Sequence, residues 1–163
     1  MNKLKISQVQ FQASHVPALN AKIIEKSFNN TLKFKPHLIC TPECSNIITN
    51  DKSYLILNAP YQNTCPVLKM AKDFAKKNKV NINLGSLLLR IKNKSKLVNR
   101  SFFINNYGVI KKTYDKIHMF DVEINNKEKH QESSLFKAGN KIIFTKINNI
   151  KLLYKKYIVY ELK

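Results

Sequence analysis

Five residues, His37-Leu38-Ile39-Cys40-Thr41, stand between Pro36 and Pro42, and no other feature constrains the fold as much. Proline cannot donate to a sheet ladder, so it ends a strand or lies outside one. The apolar run between the two prolines reads as a short buried strand that stops at Pro42. Upstream, Ile24, Phe28 and Leu32 recur every four residues, which predicts an amphipathic helix from Ala18 to Phe34. Before that, Leu4 to Phe11 mixes β-formers with period-two alternation at Leu4 and Ile6, the pattern of a first strand. Strand, helix and strand in that order predict parallel neighbours with helices packed on the sheet. In such sheets functional groups gather beyond the C-terminal ends of the strands.

The rest of the chain continues in the same style. Asn63 and Thr64 are candidate caps for a second helix, with Leu68, Ala71 and Ala75 inward and Lys72, Lys76 and Lys77 outward. Val80 to Leu89 and Lys96 to Asn105 read as strands, and Asn106-Tyr107-Gly108 turns the latter into Val109 to Tyr114. Lys141 to Ile147 and Ile150 to Tyr160 form a final pair around Asn148-Asn149. No repeat, linker or low-complexity tract divides the 163 residues, which are expected to form one domain.

Composition removes several classes. Hydrophobic residues make up 44%, too many for a disordered chain. No apolar run approaches the roughly 18 residues of a membrane span, and Met1 to Ser7 lacks the apolar core of a signal peptide. Three cysteines with no export signal are expected to be reduced thiols in a cytoplasm. The formal charge of +19 invites a nucleic-acid partner. Against that, Arg90 and Arg100 are the only arginines, and the lysines run from Lys3 to Lys163 without a dense block. Abundant Lys, Asn and Ile point to compositional bias on a solvated surface, so no specific nucleic-acid partner is expected.

Three short segments carry chemistry-bearing residues at strand ends. Glu43 follows the bracketed strand in Thr41-Pro42-Glu43, Lys116 follows a later one in Tyr114-Asp115-Lys116-Ile117-His118, and Glu132 opens Gln131-Glu132-Ser133. Taken alone, each is a solvated carboxylate, a surface cation or a turn cap. In series with Lys5-Ile6-Ser7-Gln8-Val9-Gln10, Gly85-Ser86, Asn99-Arg100-Ser101, Lys116-Ile117-His118-Met119-Phe120-Asp121 and Ala138-Gly139, they form a pattern. It resembles the nitrilase superfamily of carbon–nitrogen hydrolases, and the Lys116 to Asp121 stretch looks most like the omega-amidase-type branch.

That resemblance implies an α/β fold, a four-layer αββα sandwich, with residues 1–163 as a single carbon–nitrogen hydrolase domain cut short before the second half. It also implies a Glu, Lys and Cys triad with no metal or organic cofactor. Glu43 would be the general base, Lys116 the oxyanion stabiliser and Glu132 a second carboxylate orienting the lysine and the substrate. A Cys thiolate would attack the amide carbon, and the carboxylate would move the protons. The nucleophile is where the chain departs from the pattern. In Tyr157-Ile158-Val159-Tyr160-Glu161-Leu162-Lys163, Val159 falls near the position of the family's cysteine, and Lys151 to Tyr157 holds no glycine.

None of the three cysteines is expected to replace it. Cys44 follows Glu43, and successive side chains on an extended strand point apart. Cys40 lies within a buried strand, and Cys65 begins a helix with nothing tying it to Glu43 and Lys116. Cys40 and Cys44 have no matching His/Cys pair for zinc. His118 is expected to pack a loop and His130 to lie at the surface. The readings that remain are an amidase acting on a small carboxamide once a cysteine is supplied, a remnant lacking the covalent step, and a basic nucleic-acid module. A sheet edge and apolar faces left uncovered predict self-association, and a homo-oligomer is the partner expected beside the amide substrate.

Overall fold

β1 (Ile6–Gln8) and β2 (Leu38–Cys40) lie side by side and parallel, as the strand–helix–strand order predicts. The computed structural model describes residues 3–125, 128–147 and 150–154. β3 (Asn81–Arg90) runs parallel to β2, while β4 (Leu97–Ile104) and then β5 (Ile110–Asp115) each turn back antiparallel. The sheet order is β1-β2-β3-β4-β5. Two reversals after β3 return β5 to the direction of the first three strands. The C-terminal ends of β2, β3 and β5 therefore share one edge.

Helices α1 (Pro17–Thr31) and α3 (Pro66–Asn78) cover one face. α1 buries Ile24 and Phe28, and α3 buries Val67, Leu68, Ala71, Phe74 and Ala75 against Ile39, Ile82, Leu84 and Phe102 of the sheet. The rings of Phe28 and Phe74 meet edge to face at 5.2 Å, an arrangement aromatic pairs favour. α1 stops earlier than its periodicity predicts: Leu32–Phe34 tighten into a 3-10 turn, and Lys35 at φ 48° with Pro36 behind it ends the element. α3 starts later than Asn63 and Thr64, which fall in a 3-10 turn. Cys65 takes the cap position because Pro66, with its preset φ and no N–H, suits the first helical residue.

On the other face Leu38 and Phe103 meet Ile147, with Leu152 packed against them. Ile147 and Leu152 come from the hairpin of β8 (Ile143–Ile147) and β9 (Ile150–Tyr154), the pair expected around Asn148-Asn149. Helix, sheet and hairpin thus stack as three layers. Positions 148–149 and 155–160 of that expected pair lie outside the described residues.

Four elements escape the sequence patterns. α2 (Lys52–Asn58) buries only Leu55, so it leaves no periodic stripe; Asp51 caps it by accepting the Tyr54 N–H at 2.9 Å. β6 (Asp121–Asn125) and β7 (Glu128–Gln131) form a hairpin rich in charged residues, where hydrophobic alternation is weak. The segment after it opens with the single helical turn α4 (Glu132–Leu135). No helix among the described residues is long and apolar enough to cross a membrane.

Candidate functional site

The chain leaving β2 crosses β3 instead of running out into solvent. Thr41 donates its N–H to Asn83 O at 3.0 Å, and its hydroxyl accepts the Gly85 N–H at 3.0 Å. Ser86 takes the Cys44 N–H on its hydroxyl at 3.0 Å and the Ser45 N–H on its carbonyl at 2.9 Å. A Cβ on Gly85 would stand 2.2 Å from Thr41 O and 2.5 Å from Pro42 O, so only glycine allows this approach. Asn46 then pairs with Leu88 as a strand residue would, donating to its carbonyl and accepting its N–H, both at 2.8 Å. Asn20 of α1 donates to Asn46 O at 2.8 Å. Burying these polar groups is tolerable because each is partnered. The result is a rigid elbow that delivers Glu43 over the middle of the sheet.

Asn99 of β4 meets it there. Its side-chain amide donates to Glu43 Oε1 at 2.7 Å, and Asn99 is only 2% exposed. Lys116 arrives from the end of β5. Its N–H donates to Asn99 O at 2.9 Å, and its carbonyl accepts the Gly139 N–H at 2.8 Å, so the backbone is held on both sides. A Cβ on Gly139 would stand 2.3 Å from Asp115 O, which accounts for glycine there. The ammonium of Lys116 reaches inward to 3.6 Å from Glu43 Oε1 and 2.6 Å from Glu132 Oε2.

Glu132 stands at the start of α4, where its Oε2 also accepts the Phe120 N–H at 2.6 Å. Burial works against the charge of Lys116. The hydrogen bond to Glu132, with the fields of Glu43, Glu132 and Cys44, outweighs it and holds the ammonium pKa above its ordinary value. The three side chains line a cavity of about 950 Å³, together with Asn99, His118 and Phe136. A fixed cation between two carboxylates, one backbone-anchored and one amide-held, is equipped to bind a polar carbonyl and to move a proton beside it.

The structure brings Glu43, Lys116 and Glu132 together from separate parts of the sequence. It also revises the geometry at Cys44. That residue is left-handed, at φ 55°, so the alternation of an extended strand does not apply, and Cys44 lines the same cavity as Glu43 and Lys116. Cys40 and Cys65 behave as structural thiols: burial pushes both up to about 11. His118 and His130 are both exposed, and both line the cavity mouth. Val159 lies outside the described residues. Asn99 is the contributor that sequence reasoning left without a role. Its place in Asn99-Arg100-Ser101 was visible, but only the cross-strand pairing shows which face it takes. Among the described residues, no group of three His, Cys, Asp or Glu side chains is placed to hold a metal ion.

Comparison with known proteins agrees with this architecture. The chain is 30% identical over 150 residues to the deaminated glutathione amidase of Dictyostelium discoideum, covering 88% of this chain and 52% of that protein. It thus spans about half the length of that protein and between 25% and 44% of three other curated relatives. The crystal structure of the Caenorhabditis elegans NitFhit protein superposes with a TM-score of 0.74 at 25% identity, over 86% of this chain and 34% of that one. An amidase from Nesterenkonia sp. shares the fold with a TM-score of 0.74 at 14% identity, over 92% of this chain and 54% of its own. The model of the carbon–nitrogen hydrolase family matches residues 6–162. With the match spanning nearly every residue and the fold agreeing, the chain belongs to the carbon–nitrogen hydrolase family.

Proposed function

We propose that the Glu43–Lys116–Glu132 site serves amidase-type hydrolysis of a small carboxamide to a carboxylate and ammonia. The observation that carries this reading is the Lys116 ammonium standing between two carboxylates at the wall of the cavity. In this chemistry a thiol gives its proton to Glu43 as the sulfur bonds to the amide carbon. Lys116 compensates the negative oxygen of the tetrahedral adduct, a contribution of a few kcal/mol at such sites. Glu43 then passes the proton to the leaving nitrogen, ammonia departs, and a thioester remains. Water, losing a proton to Glu43, attacks that thioester; the acid leaves and the thiol is restored. Glu132 keeps the ammonium in place throughout.

The covalent step needs a thiolate, and Val159 stands near where the resemblance expects one. On this reading residues 1–163 hold the base and the cation of the site and release no ammonia from amides on their own. Ammonia release and intact mass after incubation with butyramide test both halves of the reading. The unaltered chain is expected to show background release and no acyl adduct. Val159→Cys is expected to gain an adduct, and adding Glu43→Gln should lower its rate by about 10²-fold or more. Turnover by the unaltered chain would overturn the inactive reading. A Val159→Cys gain indifferent to Glu43→Gln would overturn the role given to Glu43.

A further inference from the structure

A second cavity, of about 590 Å³, lies between α3 and the sheet, across β4 from the Glu43–Lys116 site. Alternation along β4 separates the two: Asn99 meets Glu43 on one face, while Val98 and Arg100 line this cleft on the other. The chain has two arginines, Arg90 and Arg100, and both are here. Lys69, Lys72 and Lys92 join them.

Carboxylates neutralise only part of this charge. Asp73 pairs with Lys69 at 2.8 Å, and Asp115 takes two hydrogen bonds from Arg100, at 2.6 and 2.9 Å. Lys72, Arg90 and Lys92 have no ion pair among the described residues. The guanidinium of Arg90 lies over the Tyr61 ring, 4.5 Å from its centroid, which fixes its plane. Its Nε is buried and donates to nothing, although buried donors are almost always satisfied. Leu68, Leu89 and Val98 give the cleft an apolar floor, which strengthens any charge-assisted bond formed above it.

We propose that this cleft is a binding site for a small, multiply charged anion bearing phosphate groups. A guanidinium held in plane offers paired donors to phosphate oxygens. Three unpaired cations call for more negative charge than a monocarboxylate carries. The two compact lysine ammonium groups suit a ligand whose phosphates can spread across the opening.

Isothermal titration of the full 163-residue chain with pyrophosphate tests the proposal. The expected result is saturable one-to-one binding with a Kd below about 1 mM, weakening as salt rises. Arg90→Gln is expected to weaken it about tenfold or more. Lys72→Gln with Lys92→Gln should do likewise, and this pair keeps the test alive if loss of Arg90 disturbs folding. Lys22→Gln with Lys26→Gln, on the exposed side of α1, should leave binding unchanged. Three results would overturn the proposal: no saturation with pyrophosphate, equal weakening by the α1 pair, or binding of a single-stranded oligonucleotide without binding of pyrophosphate.

Discussion

The Lys116 ammonium lies 2.6 Å from Glu132 Oε2, in an ion pair largely closed to solvent. Glu43 stands farther off, at 3.6 Å, and takes its shorter bond from Asn99 instead. The two carboxylates therefore differ in kind. One anchors the cation, and the other is held beside it with less of its capacity spent on the lysine.

Glu132→Gln removes the anchoring charge while keeping a group that can accept the Phe120 N–H. Removing one partner of a nearly buried pair leaves the other charge poorly compensated. Glu43 remains nearby, so the expected loss is about 2–3 kcal/mol of folding stability. Urea denaturation of the two proteins at neutral pH measures it. An unchanged midpoint would mean that the pair contributes nothing.

The raised pKa of Lys116 sets the sign of a pH effect. A base whose pKa is higher folded than unfolded adds stability that is fully present below the unfolded value and is lost as pH climbs through the folded one. The difference in urea midpoint between the native chain and Lys116→Met should therefore stay constant from about pH 7, where the partner carboxylates are ionised, up to pH 10.5, the ordinary lysine value, and shrink above it. A difference that shrinks between neutral pH and that value would contradict the ion-pair account.

The three thiols should separate by reactivity. Burial pushes Cys40 and Cys65 up to about 11, so at neutral pH few are thiolates and access to them is poor. Cys44 lines the open cavity beside the ammonium. Iodoacetamide followed by peptide mapping is expected to label Cys44 at least about tenfold faster than either of the others. Cys44→Ser should abolish the fast phase.

Gly85→Ala forces a methyl group to 2.2 Å from Thr41 O, a backbone atom that cannot swing away. The elbow carrying Glu43 must shift or the strand must open, at a cost of about 3 kcal/mol. A thermal melt within a degree or two of the native chain would show that the elbow does not depend on this close approach.

The layout was readable wherever residues repeat with a period or punctuate the chain. The helices through Ile24 and Phe28 and through Leu68 and Ala71, the strand between Pro36 and Pro42, and the parallel opening all follow from such signals. Boundaries shifted where a local device prevailed, as when Pro66 claimed the first position of α3. α2 left little trace because it buries only Leu55, and the β6–β7 hairpin because its sequence is rich in charged residues. At the site, Glu43, Lys116 and Glu132 were marked by the family resemblance rather than by physics alone. Their meeting depends on the reversal of β4 and on the elbow at Gly85 and Ser86, and the exposure of Cys44 to the cavity depends on one positive φ. Neither is written in any local pattern.

The central claim is that the Glu43–Lys116 pair receives a carboxamide, and it can be tested without turnover. An NMR titration of the 15N-labelled 163-residue chain with butyramide should read the Asn99 side-chain amide, which donates to Glu43, and the Lys116 backbone amide. The account predicts saturable shifts at both signals that vanish in Lys116→Met. Saturable shifts elsewhere with these two signals still, or none at any concentration, would contradict it.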